Sequence, residues 1–356
     1  MALIFADGFD SYSATADLVS KFDYNSSATY NTFAATGGRF GGGALQCSRD
    51  DHFVDKVIPL TGGTPGTDDL FISFSLKMDS FALESYAGIM FLSQSSNMGG
   101  GSLTTIGDGL GIRVNAGVFQ VLRAGSTVIA TGSYVMSVDT WYRIEMQIAT
   151  DNSSGVFKLK INETLDIDFT GDTHDAGQDG INVVKFGGQS VSANAYYDDI
   201  VIYSKDGVAP NDFLGDLRIE TIRPNGAGAN TDSTPSAGSS YECVDDSGMH
   251  DGDSTYVSLS TAADYDLYDV GALSFTPETV HAVVTNVVCR SDGTSPRTLR
   301  GKVKHGSTEG NGTTRDVPYG SDYRTLQDCF YQNPDTTSAW LAADIADLQI
   351  GQEVVA

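Results

Sequence analysis

The sequence has few cysteines, and their spacing excludes two kinds of site. Only four occur in 356 residues, and none forms a CxxC pair: Cys47, Cys243, Cys289 and Cys329. A zinc ribbon and a CxxC redox centre are therefore excluded. We interpret each thiol as a small buried hydrophobe. A single disulfide among Cys243, Cys289 and Cys329 stays open as an alternative.

Positive charge is also scarce. The chain has 21 Lys and Arg against 46 Asp and Glu, which gives a formal net charge of −25 at pH 7. An acidic surface repels phosphate backbones and anionic lipid head groups, so we expect neither a nucleic-acid partner nor a membrane partner. The acidity indicates solubility, and it is compatible with divalent cations held between carboxylates.

Long apolar runs are missing. No apolar run approaches the 18 residues that a membrane-spanning helix needs. The N-terminal stretch MALIFADGFD lacks a basic region and a cleavage site, so it does not read as a signal peptide. For a protein acting outside a cell, these features favour release by lysis.

Glycine is abundant, with 40 residues against 9 prolines, and strand-like runs recur between turns. Many runs alternate apolar and polar residues with period two, as half-buried antiparallel strands do. The sequence KLKINETLDIDF predicts a hairpin with Asn162 and Glu163 at its tip. The composition predicts an all-β protein, with a two-sheet jelly-roll sandwich over residues 1–205. Its predicted strands are 71–78, 87–92, 111–115, 118–123, 140–149, 155–161, 164–169, 181–186 and 198–203.

A hydrophilic gap at 206–213 predicts a linker, and residues 214–356 are predicted to form a second, smaller β-sandwich. We expect its first strand at 214–222 and a long loop of small residues at 224–240. Further strands are expected at 255–259, 280–289, 297–304, 323–327 and 348–355. Trp340 is expected to anchor the core of this domain, and Trp141 that of the first.

Four stretches in the first 205 residues together resemble a known family. They are ADGFDSYSATADLVSKFDY near the N-terminus, GGRFGGGALQ at 37–46, WYRIEMQI at 141–148 and YYDDIVIY at 196–203. In this order they are similar to the concanavalin A-like lectin/glucanase superfamily, in particular laminin-G-like jelly rolls of tailed-bacteriophage virion proteins. The segment NDFLGDLRIETIRPNGAGANTDSTPSAG also looks like the continuation of such domains in phage structural proteins.

The carboxylates Asp7, Asp10, Asp198 and Asp199 are the candidate metal ligands. The first and last strands of a jelly roll usually lie side by side, so these side chains are expected to converge. Carboxylate oxygens suit calcium, and the resemblance implies a structural calcium ion. The alternative is that one Asp caps a turn and the other faces solvent.

The motifs of two hydrolase classes are missing. The E-x-D-x-x-E pattern of the glucanase branch does not occur at Glu145 or Glu163, and no histidine accompanies a GxSxG nucleophile elbow. From these absences we expect a protein that is not an enzyme. Tyr86, Tyr134 and Tyr196 are candidates for contact with a glycan or a partner protein.

The resemblance implies a structural or adhesive component of a phage particle. Such a protein would be a capsid decoration, head fibre or tail fibre, assembled in the host cytoplasm and attached through one domain. Its expected partners are other virion proteins and further copies of itself. The alternative is a calcium-assisted, lectin-like protein that recognises glycans of the host surface.

Overall fold

The computed structural model describes residues 2–49, 51–83, 88–93, 109–124, 126–174, 180–205, 212–293, 297–317, 319–320 and 322–356. The chain divides into two compact units, Met1–Ile219 and Glu220–Ala356. This division lies a few residues after the expected linker at 206–213, so residues 214–219 count with the first unit. No helix among the described residues is long and apolar enough to cross a membrane.

The first unit contains fifteen of the described strands, and its one described 3₁₀ helix spans Thr15–Ser20. The strands are β1 (Ala2–Asp7), β2 (Tyr24–Asn25), β3 (Asn31–Ala34), β4 (Ala44–Ser48), β5 (Phe53–Thr61), β6 (Leu70–Met78), β7 (Met90–Ser93), β8 (Leu110–Asn115), β9 (Val118–Arg123), β10 (Thr127–Thr131), β11 (Tyr142–Ala149), β12 (Gly155–Ile161), β13 (Thr164–Gly171), β14 (Ile181–Gly187) and β15 (Asn194–Ser204).

These strands form two antiparallel sheets. The eight-stranded sheet has the order β13-β12-β11-β6-β15-β4-β3, with β1 also paired to β15. The seven-stranded sheet has the order β10-β9-β8-β7-β14-β5-β2. The first and last strands of the unit are neighbours, as expected, with Asp7 opposite Ile200. The all-β prediction and the jelly-roll sandwich are confirmed.

The core of the first unit lies between the two sheets. Alternate residues of β11, from Ile144 to Ile148, are fully buried there. Phe186 of the seven-stranded sheet packs edge-to-face on Tyr197 of the other sheet, with ring centroids 5.4 Å apart. Because side chains alternate along a strand, the neighbours of these core residues project from the outer faces of the sandwich.

The second unit contains ten described strands and two described 3₁₀ helices, at Ser240–Cys243 and Ala342–Asp347. The strands are β16 (Pro224–Thr231), β17 (Thr234–Pro235), β18 (Val257–Ser258), β19 (Tyr265–Val270), β20 (Val283–Cys289), β21 (Arg297–His305), β22 (Thr308–Asn311), β23 (Arg315–Val317), β24 (Arg324–Phe330) and β25 (Gln349–Val354). A six-stranded sheet has the order β16-β19-β25-β21-β22, with β23 paired to β21, and β20-β24 and β17-β18 form two-stranded sheets.

Two local predictions for the start of this region are wrong. Residues 214–222 are not a strand, because carboxylate side chains bind their backbone: Glu145 accepts from Leu214 and Gly215. Residues 224–231 are strand β16 rather than loop. The small residues there permit close packing, since a Cβ on Gly228 would lie 2.4 Å from the carbonyl oxygen of Leu267.

Trp340 lies in the core of the second unit, as predicted. Its side chain is 2% exposed and packs with Val303, Phe330 and Ile345. The indole Nε1 donates a 2.8 Å hydrogen bond to the carbonyl oxygen of Phe330, so burial leaves its polar atom paired.

Candidate functional site

The outer face of the seven-stranded sheet carries a row of residues from five strands. Lys185 lies opposite Asp55 on one side and Phe91 on the other. Phe91 lies opposite Gly111, which in turn lies opposite Leu122. Because directly opposed residues share a face, the row projects away from the core, opposite to Phe186. We call this surface the outer face.

A buried ion pair lies at one end of this row. Lys185 Nζ is 2.6 Å from Asp55 Oδ2, and the two side chains are 10% and 2% exposed. In the part of the chain that the structure describes, Asp55 Oδ1 has no hydrogen-bond partner. Burial raises the pKa of Asp55, and the Lys185 ammonium partly opposes that shift. An acceptor oxygen is therefore held in a low-dielectric position without a donor.

A second polar atom without a partner lies nearby. Ser93 of β7 is opposite Val183 of β14, two residues along each strand from Phe91 and Lys185. Its side chain is 1% exposed, and its hydroxyl has no hydrogen-bond partner among the described residues. A buried hydroxyl that folding leaves unpaired points to a ligand group or a water as its partner.

Two phenyl rings lie on the same face. The rings of Phe53 and Phe91 meet edge-to-face, with centroids 5.5 Å apart at an interplanar angle of 80°. Glycines on the neighbouring strands leave room for them: a Cβ on Gly187 would lie 2.6 Å from the Phe53 ring, and one on Gly111 2.9 Å from the Phe91 ring. The glycines thus let the rings lie close against the sheet.

An arginine and a glutamine extend the polar surface across β8 and β9. Arg113 lies opposite Gln120, and its Nε donates a 2.9 Å hydrogen bond to Gln120 Oε1. This bond does not use the terminal guanidinium nitrogens, which carry four further donor hydrogens. The outer face therefore combines donors, acceptors and aromatic rings.

None of these residues was predicted as a site residue from the sequence. They come from strands far apart in sequence, and only the sheet order brings them together. The sequence feature that could have indicated this site is a single charged residue inside an otherwise apolar strand, such as Lys185 within INVVKFG. A charge in such a run indicates a partner or a site.

The four predicted metal ligands are bound by donors of the protein itself. Asp7 accepts hydrogen bonds from the backbone N–H of Phe9 and the Tyr12 hydroxyl, and it pairs with Lys21 at 3.0 Å. Asp10 accepts from the backbone N–H of Gly43 at 3.1 Å. Donor hydrogens and an ammonium thus occupy positions that a cation would need.

The adjacent carboxylates Asp198 and Asp199 are engaged in the same way. Asp198 accepts 2.8 Å bonds from the backbone N–H groups of Arg39 and Asp199. Asp199 accepts from the backbone of Ile219 at 2.7 Å and the hydroxyl of Ser75 at 3.2 Å.

Within the described ranges, no three Asp, Glu, His or Cys side chains converge into a group that could hold a metal ion. Asp10 and Asp199 lie close enough to Asp198 to raise its pKa, and all four carboxylates accept hydrogen bonds from the protein. Calcium binding by the chain as a whole stays a prediction.

These carboxylates instead hold two backbone segments in place. Asp10 and Asp198 bind the glycine-rich loop at 37–43, and Asp199 binds Ile219. The three motifs ADGFD, GGRFGGG and YYDD therefore contact one another through hydrogen bonds and have a structural role. Phe40 lies in the glycine-rich loop and is 50% exposed. The Arg39 guanidinium carbon lies over the Phe40 ring, 4.8 Å from its centroid.

A buried charged cluster lies between the eight-stranded sheet and residues 212–219. Arg143 donates to the backbone oxygen of Asp199 at 2.9 Å and to the Ser73 hydroxyl. Burial raises the pKa of Glu145, which accepts 2.7 and 2.9 Å bonds from Leu214 and Gly215. Burial and the neighbouring Asp199 raise the pKa of Asp198 to about 8.

The predicted aromatic contacts lie elsewhere. Tyr196 is on the outer side of the eight-stranded sheet, where Lys77 Nζ lies 4.7 Å from its ring centroid and 5.0 Å from that of Trp141. Trp141 is thus only partly buried, and its predicted core position is wrong. Tyr134 is 36% exposed and packs on Tyr142. Tyr86 lies outside the described residues, and a glycan contact by any of the three stays a prediction.

No protein-family model matches this chain, and no curated protein matches it. Solved structures of similar fold include alginate lyase Aly36B, at 13% identity and TM-score 0.37, covering 61% of this chain and 98% of that chain. An endo-β-1,4-glucuronan lyase from the fungus Trichoderma reesei has 14% identity and TM-score 0.39, covering 56% of this chain and 95% of that chain. The catalytic domain of a GH131 β-glucanase from Podospora anserina has 12% identity and TM-score 0.35, covering 59% of this chain and 98% of that one.

These likenesses concern the fold. They contradict the expectation that the chain is not an enzyme, because two lyases and a glucanase are among the structures of similar fold. The missing glucanase motif excludes one catalytic arrangement, whereas a jelly roll can position catalytic residues on other strands.

Proposed function

We propose that the first unit binds a carbohydrate chain on the outer face of its seven-stranded sheet. The observation that carries this proposal is the pair of unpartnered buried atoms, Asp55 Oδ1 and Ser93 Oγ, on one face with Lys185. A sugar hydroxyl can donate to the carboxylate oxygen and can accept from or donate to the serine. Among the described residues folding leaves both buried atoms without a partner, and a ligand hydroxyl or a water that reaches them would satisfy them.

The other groups of the outer face fit the same ligand. Phe53 and Phe91 are both buried, so their edge-to-face pair forms an apolar layer beside the polar groups rather than an exposed surface for stacking. Arg113 adds donors beside Gln120. An apolar platform with a few placed polar groups is the usual composition of a small-molecule site.

A glycan array with the full-length protein, followed by titration calorimetry of the best carbohydrate, tests the proposal. Ser93→Ala and Arg113→Gln are each expected to weaken binding about tenfold, the effect of one lost hydrogen bond to a ligand. Matched controls are Ser258→Ala and Arg324→Gln, at exposed positions of the second unit, which should bind as the wild type does. Absence of binding to every carbohydrate, or wild-type affinity in both outer-face variants, contradicts the proposal.

Cleavage of the bound chain is a second candidate, favoured by the raised pKa of Asp55. A carboxyl group with a raised pKa beside a hydrogen-bonding cation can transfer protons to or from a reacting group. Release of new chain ends from the bound carbohydrate measures this activity. If the protein cleaves the bound chain, Asp55→Asn should abolish the release of new chain ends. Absence of release by the wild type would contradict this candidate.

The assignment to a phage particle is a further proposal that rests on the four sequence motifs alone. It includes the virion location, the self-association and the contacts with other virion proteins. Quantitative mass spectrometry of purified particles tests it. Dozens to hundreds of copies indicate capsid decoration or fibres, a handful indicates the tail, and absence removes the proposal.

A further inference from the structure

The second unit contains a surface pocket of about 310 Å³ that is rich in hydroxyl groups. Six of its lining residues carry a hydroxyl: Thr231, Ser233, Ser239, Ser240, Tyr241 and Tyr268. Ala227 of β16 and Pro235 of β17 complete the wall with carbon surface. We call it the hydroxyl pocket, and its volume is at the lower end for small-molecule sites.

The polar wall of the hydroxyl pocket is organised by one fully buried carboxylate. Asp266 is 0% exposed and lies behind the wall. Its Oδ1 accepts from the backbone N–H groups of Asp232 and Ser233 at 2.8 and 2.9 Å. Its Oδ2 accepts from the Tyr268 hydroxyl at 2.6 Å and from the Ser233 hydroxyl.

This arrangement fixes the direction of the hydroxyl groups. A carboxylate with four donors only accepts, so the hydroxyl hydrogens of Ser233 and Tyr268 point to Asp266. Ser240 Oγ lies 3.1 Å from Ser233 Oγ, and the Tyr268 hydroxyl oxygen accepts a 3.0 Å bond from Gln352 Nε2. Burial raises the pKa of Tyr268 well above its ordinary value, so the phenol remains a donor to Asp266.

On this wall the Ser233 and Tyr268 hydroxyls are therefore used within the protein, whereas the exposed hydroxyls of Thr231 and Ser239 can donate to or accept from a ligand. None of the described residues that line it is charged, and the Asp266 carboxylate behind the wall disfavours an anion. A matching ligand is uncharged, carries its own hydroxyl or amide groups, and has an apolar side for the Tyr241 ring and the carbon surface of Ala227 and Pro235.

We propose that the hydroxyl pocket binds one ring of a neutral sugar. The site is separate from the outer face of the first unit, because its residues belong entirely to the second unit. The test of this proposal is therefore independent of carbohydrate binding by the jelly roll of the first unit.

Saturation-transfer NMR on the full-length protein provides the test. The probes are glucose, galactose, mannose and N-acetylglucosamine, with glucuronate as the anionic comparison. All titrations use the Ser93→Ala/Arg113→Gln background, in which binding on the outer face of the first unit is expected to be about a hundredfold weaker. At least one neutral sugar is expected to give a saturable signal with a Kd of about 1–10 mM, as suits a small open pocket.

Two variants locate the signal. Ala227→Leu adds bulk at an exposed position of the pocket wall and should weaken binding at least about tenfold through loss of the volume that the ring needs. Tyr241→Ala removes one ring and should weaken binding similarly. The control Ala262→Leu, at an exposed position outside the pocket, should bind as the background protein does.

Three results would overturn the proposal. They are absence of a saturable signal from every neutral sugar up to about 50 mM, unchanged binding in both pocket variants, and binding of glucuronate as strong as that of the neutral sugars. Circular dichroism of each variant confirms that a loss of signal is not a loss of fold.

Discussion

On the outer face of the seven-stranded sheet, Lys185 Nζ lies 2.6 Å from Asp55 Oδ2, and the other oxygen of that carboxylate has no partner among the described residues. The pair comes from neighbouring strands whose opposite sides form the core. A charge pair buried this way contributes little to net stability, so its presence on this face favours a role in binding.

The unpaired hydroxyl of Ser93 gives the first prediction. Ser93→Ala removes a buried polar atom that has no hydrogen-bond partner among the described residues, so the free energy of unfolding should stay the same or rise by up to about 1 kcal/mol. Urea denaturation measures this change. A loss of more than about 1 kcal/mol would show that the hydroxyl has a partner in the folded chain.

The second prediction concerns the pH dependence of stability. The pKa of Asp198 is raised from 3.8 to about 8, so between these values the folded chain holds a proton that the unfolded chain has lost. The contribution of this group to the free energy of unfolding is therefore present at acid pH and decreases as pH rises from about 4 to about 8. Asp198→Asn cannot titrate, and it should flatten this decrease.

Thermal or urea unfolding of the wild type and Asp198→Asn at pH 5 and pH 8 measures the difference. Asp168→Asn, at an exposed carboxylate of β13, is the control. An equal slope in Asp198→Asn and the wild type would contradict the buried, protonated state of Asp198.

The segment 212–219 gives the third prediction. Glu145 holds it through Oε1, while Oε2 has no partner among the described residues. Glu145→Gln keeps the accepting oxygen and removes a buried charge, so stability should change by less than about 1 kcal/mol. Glu145→Ala leaves two backbone N–H groups without their acceptor and should cost about 2 kcal/mol.

Amide hydrogen exchange of Leu214 and Gly215 reports the same contact directly. Exchange should accelerate in Glu145→Ala and remain slow in Glu145→Gln. Equal acceleration in both variants would show that the charge, rather than the hydrogen-bond geometry, holds the segment.

The fourth prediction concerns calcium. Because Asp7, Asp10, Asp198 and Asp199 already accept protein donors, a chelator should leave the thermal midpoint of the first unit unchanged. Differential scanning calorimetry with EDTA, and again with added calcium, measures this. A shift of more than about 4 °C with added calcium would indicate an ion bound to the folded state.

The regular strands could be predicted well from sequence. The strands 118–123 and 155–161 have the bounds expected from their period-two alternation. Asn162 and Glu163 have φ values of 46° and 67°, as the two central residues of a tight hairpin turn require. Such features depend on neighbours in sequence, which is why they can be read there.

The candidate site could not be predicted in this way. Asp55, Ser93 and Lys185 meet only because β14 pairs with both β5 and β7, and that order is a property of the whole sandwich. The role of the motif carboxylates Asp10 and Asp198 could not be predicted for a related reason. Asp10 and Asp198 do lie near the paired terminal strands, but their oxygens bind the backbone of the glycine-rich loop.

The most direct test of carbohydrate binding on the outer face is calorimetric titration of the best array carbohydrate into the wild type and into the double variant Ser93→Ala/Arg113→Gln. We predict that the wild type binds and that the double variant loses affinity by about a hundredfold, the sum of two lost hydrogen bonds. Equal affinity of the two proteins would contradict the assignment of binding to this face.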